Sequence, residues 1–95
     1  MDTLLRPLRN ELVQWRALED EGVLLDLHTG QTWALNAVGL FIWDLCDGAH
    51  EIARIERWVA RNFGVDLERA AADVEHFLIH LEEQDLIVLQ LPEAV

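Results

Sequence analysis

The chain has 95 residues, 52% of them apolar, and sets eighteen acidic side chains against seven arginines for a formal net charge of −11. That length supports one domain with one modest core and leaves little room for a deep, enclosed active site. The charge excludes the cation-driven binding of DNA or RNA and of anionic membrane surfaces, and it favours basic partners.

Residues Met1 to about Asn10 read as a mobile lead-in in which Pro7 discourages helix, so the ordered part of a single 1–95 domain is expected over about 12–90. Leu12–Leu18 alternates at Val13, Trp15 and Ala17 and predicts a first strand. Glu19-Asp20-Glu21-Gly22 is a turn, Gly22–Leu27 a second strand and Gln31–Leu35 a third. The loop between them sets the register. A two-residue loop pairs Asp26 with Trp33, whereas a three-residue loop with a left-handed Gly30 pairs Leu25 with Trp33 and Leu27 with Gln31. The second register is preferred, because it gathers Val23, Leu25, Leu27, Trp33 and Leu35 on one face.

Asn36 predicts the N-cap of a first helix over Ala37–Asp47, with Val38, Phe41, Ile42, Leu45 and Cys46 as its apolar stripe and Gly48 as its end. A second helix over about Glu51–Asn62 turns Ile52, Ile55, Val59 and Phe63 inward and stops at Gly64. Asp66 caps a third helix over about Leu67–Gln84, whose stripe is Leu67, Ala70, Val74, Phe77, Leu78 and Leu81. Leu86–Leu91 closes the chain as a short strand or packed tail. The order predicts an α+β fold in the style of a winged helix-turn-helix, a three-stranded antiparallel sheet followed by three helices.

The run Leu25-Asp26-Leu27-His28-Thr29-Gly30, then Leu35-Asn36, then Ile42-Trp43-Asp44-Leu45-Cys46-Asp47-Gly48 resembles the PqqD family. The stretch Asp73-Val74, Phe77-Leu78, Leu81 and Asp85-Leu86-Ile87 follows the same pattern, and the likeness spans roughly Val13 to Val88. These domains are the RiPP recognition elements, which bind the leader segments of ribosomally made precursor peptides. Two positions depart from the pattern: Ala49-His50 stands where a Ser/Thr cap is usual, and Asp85 where glycine usually follows the third helix. The resemblance implies that a leader adds as a strand beside the third strand, with alternate side chains entering a cleft against the third helix. The residues so implied are Gln31, Thr32, Trp33, Ala34, Leu35, Ala70, Asp73, Val74 and Phe77. The third strand supports this independently, since it carries no proline, lysine or other charge to guard an edge.

The resemblance implies no catalytic residue, cofactor or metal, and a modifying enzyme as second partner: a radical-SAM enzyme, a leader peptidase or a cyclase. Cys46 has no internal partner for a disulfide and the N-terminus has no secretion signal, which together with the short apolar runs predicts a cytoplasmic protein off the membrane. A monomer or weak dimer is expected, because an open edge can pair with its own copy. His76 and His80, four apart, lack the glutamate of a zinc-protease helix and read as solvated surface. Cys46, with His50 nearby, reads as core filler, and Asp44 and Asp47 as surface. Trp43 and Trp58 fall beside the helical stripes and read as half-buried packing. Asp73, Glu75 and Glu82 form either a solvated face or a salt-bridging surface for a basic leader. The rival reading is a winged-helix DNA-binding regulator, which the acidic third helix, with Arg69 its lone arginine, disfavours.

Overall fold

The computed structural model describes residues 1–92, so the expected boundary at 95 lies outside the described residues. Chain order runs β1 (Arg6–Arg9), β2 (Val13–Leu18), β3 (Glu21–Asp26), β4 (Thr32–Leu35), α1 (Ala37–Asp44), α2 (Ile52–Phe63), α3 (Leu67–Glu83) and β5 (Ile87–Gln90). The expected three-stranded antiparallel sheet followed by three helices is present, with strand order β2-β3-β4. One face of it, through Val13, Leu24 and Leu35, packs against Ile42, Trp43, Ile55, Val74 and Leu78 of the helices. Each such side chain withdrawn from water contributes roughly 1.5–3 kcal/mol.

The hairpin register differs from both readings of the sequence. Leu24 lies opposite Trp33 and Leu25 opposite Thr32, which leaves a four-residue connection from Leu27 to Gly30. The cause is Asp26. Its Oδ1 accepts the His28 amide at 2.8 Å and the Thr29 amide at 3.4 Å, while Gly30 N–H donates to the Asp26 carbonyl at 2.8 Å. A carboxylate so occupied tolerates an inward position, and Asp26 is buried. The slip reverses the expected apolar face: Gly22, Leu24 and Asp26 point in, while Val23 and Leu27 are exposed and Leu25 is half-buried.

The helices follow their apolar spacing, with informative exceptions. Asn36 Oδ1 accepts the Gly39 amide at 2.8 Å and Asp66 Oδ1 the Arg69 amide at 2.8 Å, both as expected of N-caps. Gly64 ends α2 in the left-handed region at φ 66°. Helix α1 stops three residues early, at Asp44, because Leu45 and Cys46 tighten onto Ile42 and Trp43 and Arg9 Nη1 takes the carbonyls of Trp43 and Asp44 at 2.9 and 2.8 Å. Trp43 is wholly buried, not half-buried, and Leu67 is exposed instead of joining the α3 stripe. After α3, Asp85 adopts φ 58°, so an aspartate occupies the left-handed position that glycine usually fills. Leu86 N–H closes the cap on the Leu81 carbonyl at 2.9 Å.

The reading of residues 1–10 as a mobile lead-in is corrected. Arg6–Arg9 forms β1 and pairs antiparallel with β5, Arg6 opposite Gln90 and Arg9 opposite Ile87. Pro7 is fully buried there. The same segment supplies the cap that Ala49-His50 lacks: Leu5 O accepts the Ile52 amide and Thr3 O the Ala53 amide, each at 2.9 Å. Main-chain carbonyls thus satisfy first-turn donors of α2 that no side chain reaches.

Candidate functional site

Strand β4 is an outer strand of its sheet, and among the described residues no strand covers its far edge, since β5 pairs with β1. Asp26 N–H donates to Gln31 O at 3.0 Å, which marks 26 and 31 as a hydrogen-bonded pair. Antiparallel alternation then turns the main-chain groups of Trp33 and Leu35 toward β3 and those of Thr32 and Ala34 outward. The four outward groups, two donors and two acceptors, form a short template for another extended chain. Side chains alternate with them: Trp33 is half-buried and Leu35 buried on the inner face, while Thr32 and Ala34 are exposed.

Where β4 runs into α1, the first turns of that helix and the middle of α3 enclose a cleft of about 230 Å³, lined by Asn36, Val38, Gly39, Ile42, Asp73 and Phe77. Gly39 sits between the walls. A Cβ there would meet Phe77 Cζ at 3.4 Å and Leu35 Cβ at 3.6 Å in ordinary contact, and would crowd the Asn36 cap oxygen at 3.3 Å. Phe77 and Val38 are half-buried and supply the apolar walls. Asp73 stands on the rim, exposed, its carboxylate 3.8 Å from Arg69 Nε. The cleft therefore offers one apolar pocket with an anionic lip at the end of an unpaired strand edge.

Of the residues implied from sequence, Thr32, Ala34, Asp73 and Phe77 have exposed or partly exposed groups at this edge and cleft, and Gln31 is exposed in the hairpin. Ala70 and Val74 are placed otherwise. Both are 0% exposed in the core, on the stripe of α3 next to the one that carries Asp73 and Phe77, so they support the cleft from beneath without lining it. Asn36, Val38, Gly39 and Ile42 belong to the lining and were missing from the sequence reading. The signal available in the sequence was Gly39, a residue that costs about 1 kcal/mol inside a helix.

The other chemistry-bearing residues lie apart from the cleft. Cys46 is fully buried, its Sγ donating to Ile42 O at 3.2 Å, and burial pushes its thiol up to about 12. His76 and His80 are exposed on α3. Among the described residues no group of three or more His, Cys, Asp or Glu side chains is placed to hold a metal ion. No helix among them is long and apolar enough to cross a membrane. Trp58 is half-buried between His50, 5.0 Å from its ring, and Arg54, 5.7 Å away.

A comparison with curated protein sequences gave no match. Among solved structures, the chain is similar to TbiB1 in complex with the TbiA(beta) leader peptide, with 30% identity, a TM-score of 0.78, and coverage of 84% of this chain and 93% of that one. It is also similar in fold to lasso peptide synthetase B1 complexed with the leader peptide, at 19% identity and TM-score 0.78 over 87% of this chain and 98% of that one. The family model described as coenzyme PQQ synthesis protein D matches residues 21–87, from the start of β3 through the first residue of β5. With that match and the TbiB1 likeness, the chain belongs to the PqqD family.

Proposed function

We propose that this protein is a non-catalytic module that binds the leader segment of a ribosomally made precursor peptide and presents it to a modifying enzyme, such as a radical-SAM enzyme, a leader peptidase or a cyclase. The observation that carries the reading is the uncovered edge of β4 at Thr32 and Ala34, ending at the Phe77 cleft. The leader adds as a strand on that edge, and one of its apolar side chains enters the cleft. Asp73 lies within reach of an Arg or Lys of the leader. Family membership and the leader-bound state of TbiB1 support the same reading. A lone, buried cysteine suits a reducing cytoplasm.

The magnitudes are sufficient. About four main-chain hydrogen bonds at roughly 0.5–1.5 kcal/mol each, with one or two apolar anchors at roughly 1.5–3 kcal/mol, outweigh the roughly 2–5 kcal/mol spent on ordering a flexible peptide. The remainder corresponds to roughly millimolar to micromolar affinity. Backbone pairing supplies most of the affinity, and the cleft supplies the choice of sequence.

The test is Ala34→Pro. The Ala34 N–H faces away from β3, so proline removes a donor the sheet does not use, at the kind of edge position where it is tolerated. In fluorescence anisotropy with the labelled leader of the cognate precursor, affinity falls by roughly 10- to 100-fold, the loss of about 1.4–2.8 kcal/mol expected from a missing donor and a disrupted neighbouring bond. Unchanged affinity in a variant with a wild-type circular dichroism spectrum rules out strand addition at β4. The surface of α3 tells against the DNA-binding alternative, since it exposes Glu68, Asp73, Glu82 and Glu83 with Arg69 its lone arginine.

A further inference from the structure

Building on that reading, we propose that the opposite edge of the same sheet is a second docking site, which takes an extended segment of the modifying enzyme bearing apolar side chains flanked by Arg or Lys. Leu27 N–H donates to Leu12 O at 3.0 Å, so alternation along β2 turns the main-chain groups of Gln14 and Arg16 toward β3 and those of Trp15 and Ala17 outward. Among the described residues no strand pairs with that edge. Beside it lies a groove of about 420 Å³ between β2 and the helices α1 and α2. Its floor is apolar: Leu40, with Phe41 and Phe63 packed edge to face at 5.4 Å, and the Trp15 indole, which is 38% exposed.

The rim selects the partner. Glu19, Asp20 and Asp44 ring the groove, and among the described residues no basic side chain lines it. Of the cations beside it, Arg9 stacks 5.5 Å from the Trp15 ring but already donates to the carbonyls of Trp43 and Asp44, and Arg61 lines the adjoining pocket with Phe41, Trp58 and Asn62. An apolar floor under an anionic rim fits an apolar segment with cationic flanks. A second copy of this chain fits badly, because it brings an equally acidic rim and a net charge of −11. With β3 between them, β2 and β4 present their free edges in opposite directions, so leader and enzyme segment are held together without competing. Four strand spacings separate them, roughly 19 Å. The module then acts as a bridge that raises the effective concentration of the leader at the enzyme.

The experiment titrates the full chain with a short fluorescein-labelled peptide in which Arg alternates with Leu and Val, and with its counterpart carrying Glu for Arg. The Arg peptide binds and shifts the NMR signals of the Trp15 and Ala17 amides and the Trp15 indole N–H; the Glu peptide does not bind. The double variant Asp20→Lys/Asp44→Lys weakens the Arg peptide about tenfold, while Glu68→Lys/Glu82→Lys, with the same change in net charge on α3, leaves it within about twofold. Ala34→Pro leaves it unchanged. Shifts centred on Thr32 and Ala34, equal losses in the two double variants, or a dimer that the groove variant abolishes would each overturn the proposal. No leader is present in this titration, so its outcome is read independently of leader binding at β4.

Discussion

Glu56 faces the interior from α2 with its Oε2 buried and unpartnered, although nothing in the sequence sets it apart from the exposed acids around it. Burial pushes its carboxyl up from the ordinary 4.5 to about 7, and the adjacent Glu75 carboxylate on α3 adds to the effect; Arg57 and the Met1 ammonium oppose it. In the unfolded chain the group ionises near 4.5, so between there and about 7 the folded protein holds a proton that the unfolded one has released. Stability is therefore greatest below the unfolded value, falls as pH rises through this window and levels off above about 7. The gap between 4.5 and about 7, at about 1.36 kcal/mol per unit, is about 3 kcal/mol. Glu56→Gln keeps the shape and a donor toward Glu75 but cannot ionise. Urea unfolding followed by tryptophan fluorescence, from about pH 5 to pH 8, gives near-equal stability for the two proteins at the acid end and an advantage of about 2–3 kcal/mol for the variant at the alkaline end. Histidines are common to both proteins and cancel in the difference. A difference that stays flat with pH refutes the burial of a protonated Glu56.

Gly39→Ala separates binding from folding: alanine gains about 1 kcal/mol of helix propensity, which offsets the 3.3 Å approach of its Cβ to the Asn36 cap oxygen, while the added methyl fills space in the cleft beside Phe77, so thermal stability holds and leader affinity drops about tenfold by anisotropy. Deleting residues 1–9 removes β1, the buried Pro7 and the carbonyls that cap α2, and lowers unfolding free energy by at least about 2–4 kcal/mol in urea; a truncated chain of native stability would refute the structural role given to that segment. Cys46, wholly buried with its thiol pushed up to about 12, reacts with a maleimide at pH 7 only as fast as the protein unfolds, so labelling should accelerate steeply across the urea transition.

The sequence determined what rests on neighbouring residues. Helix caps at Asn36, Gly64 and Asp66, the strand β2 and the inward positions Ile52, Ile55, Val59, Leu78 and Leu81 all follow from spacings of a few residues, and the structure has them in place, although in β2 Val13 alone is buried and Trp15 and Ala17 are exposed. The uncovered, uncharged β4 was likewise legible, because its lack of edge protection is written in four side chains. Tertiary structure decided the rest. Whether Leu24 or Leu25 faces inward turned on one buried carboxylate ordering its own loop, a choice worth a single residue of register that hydrophobic counting cannot weigh. The pairing of Arg6–Arg9 with Ile87–Gln90 joins the two ends of the chain, and only the folded core brings them together. For the same reason Glu56 became buried, Ala70 and Val74 slipped beneath the cleft, and Gly39 acquired its place in the wall: each depends on which remote surface arrives opposite, and local spacing carries no record of that.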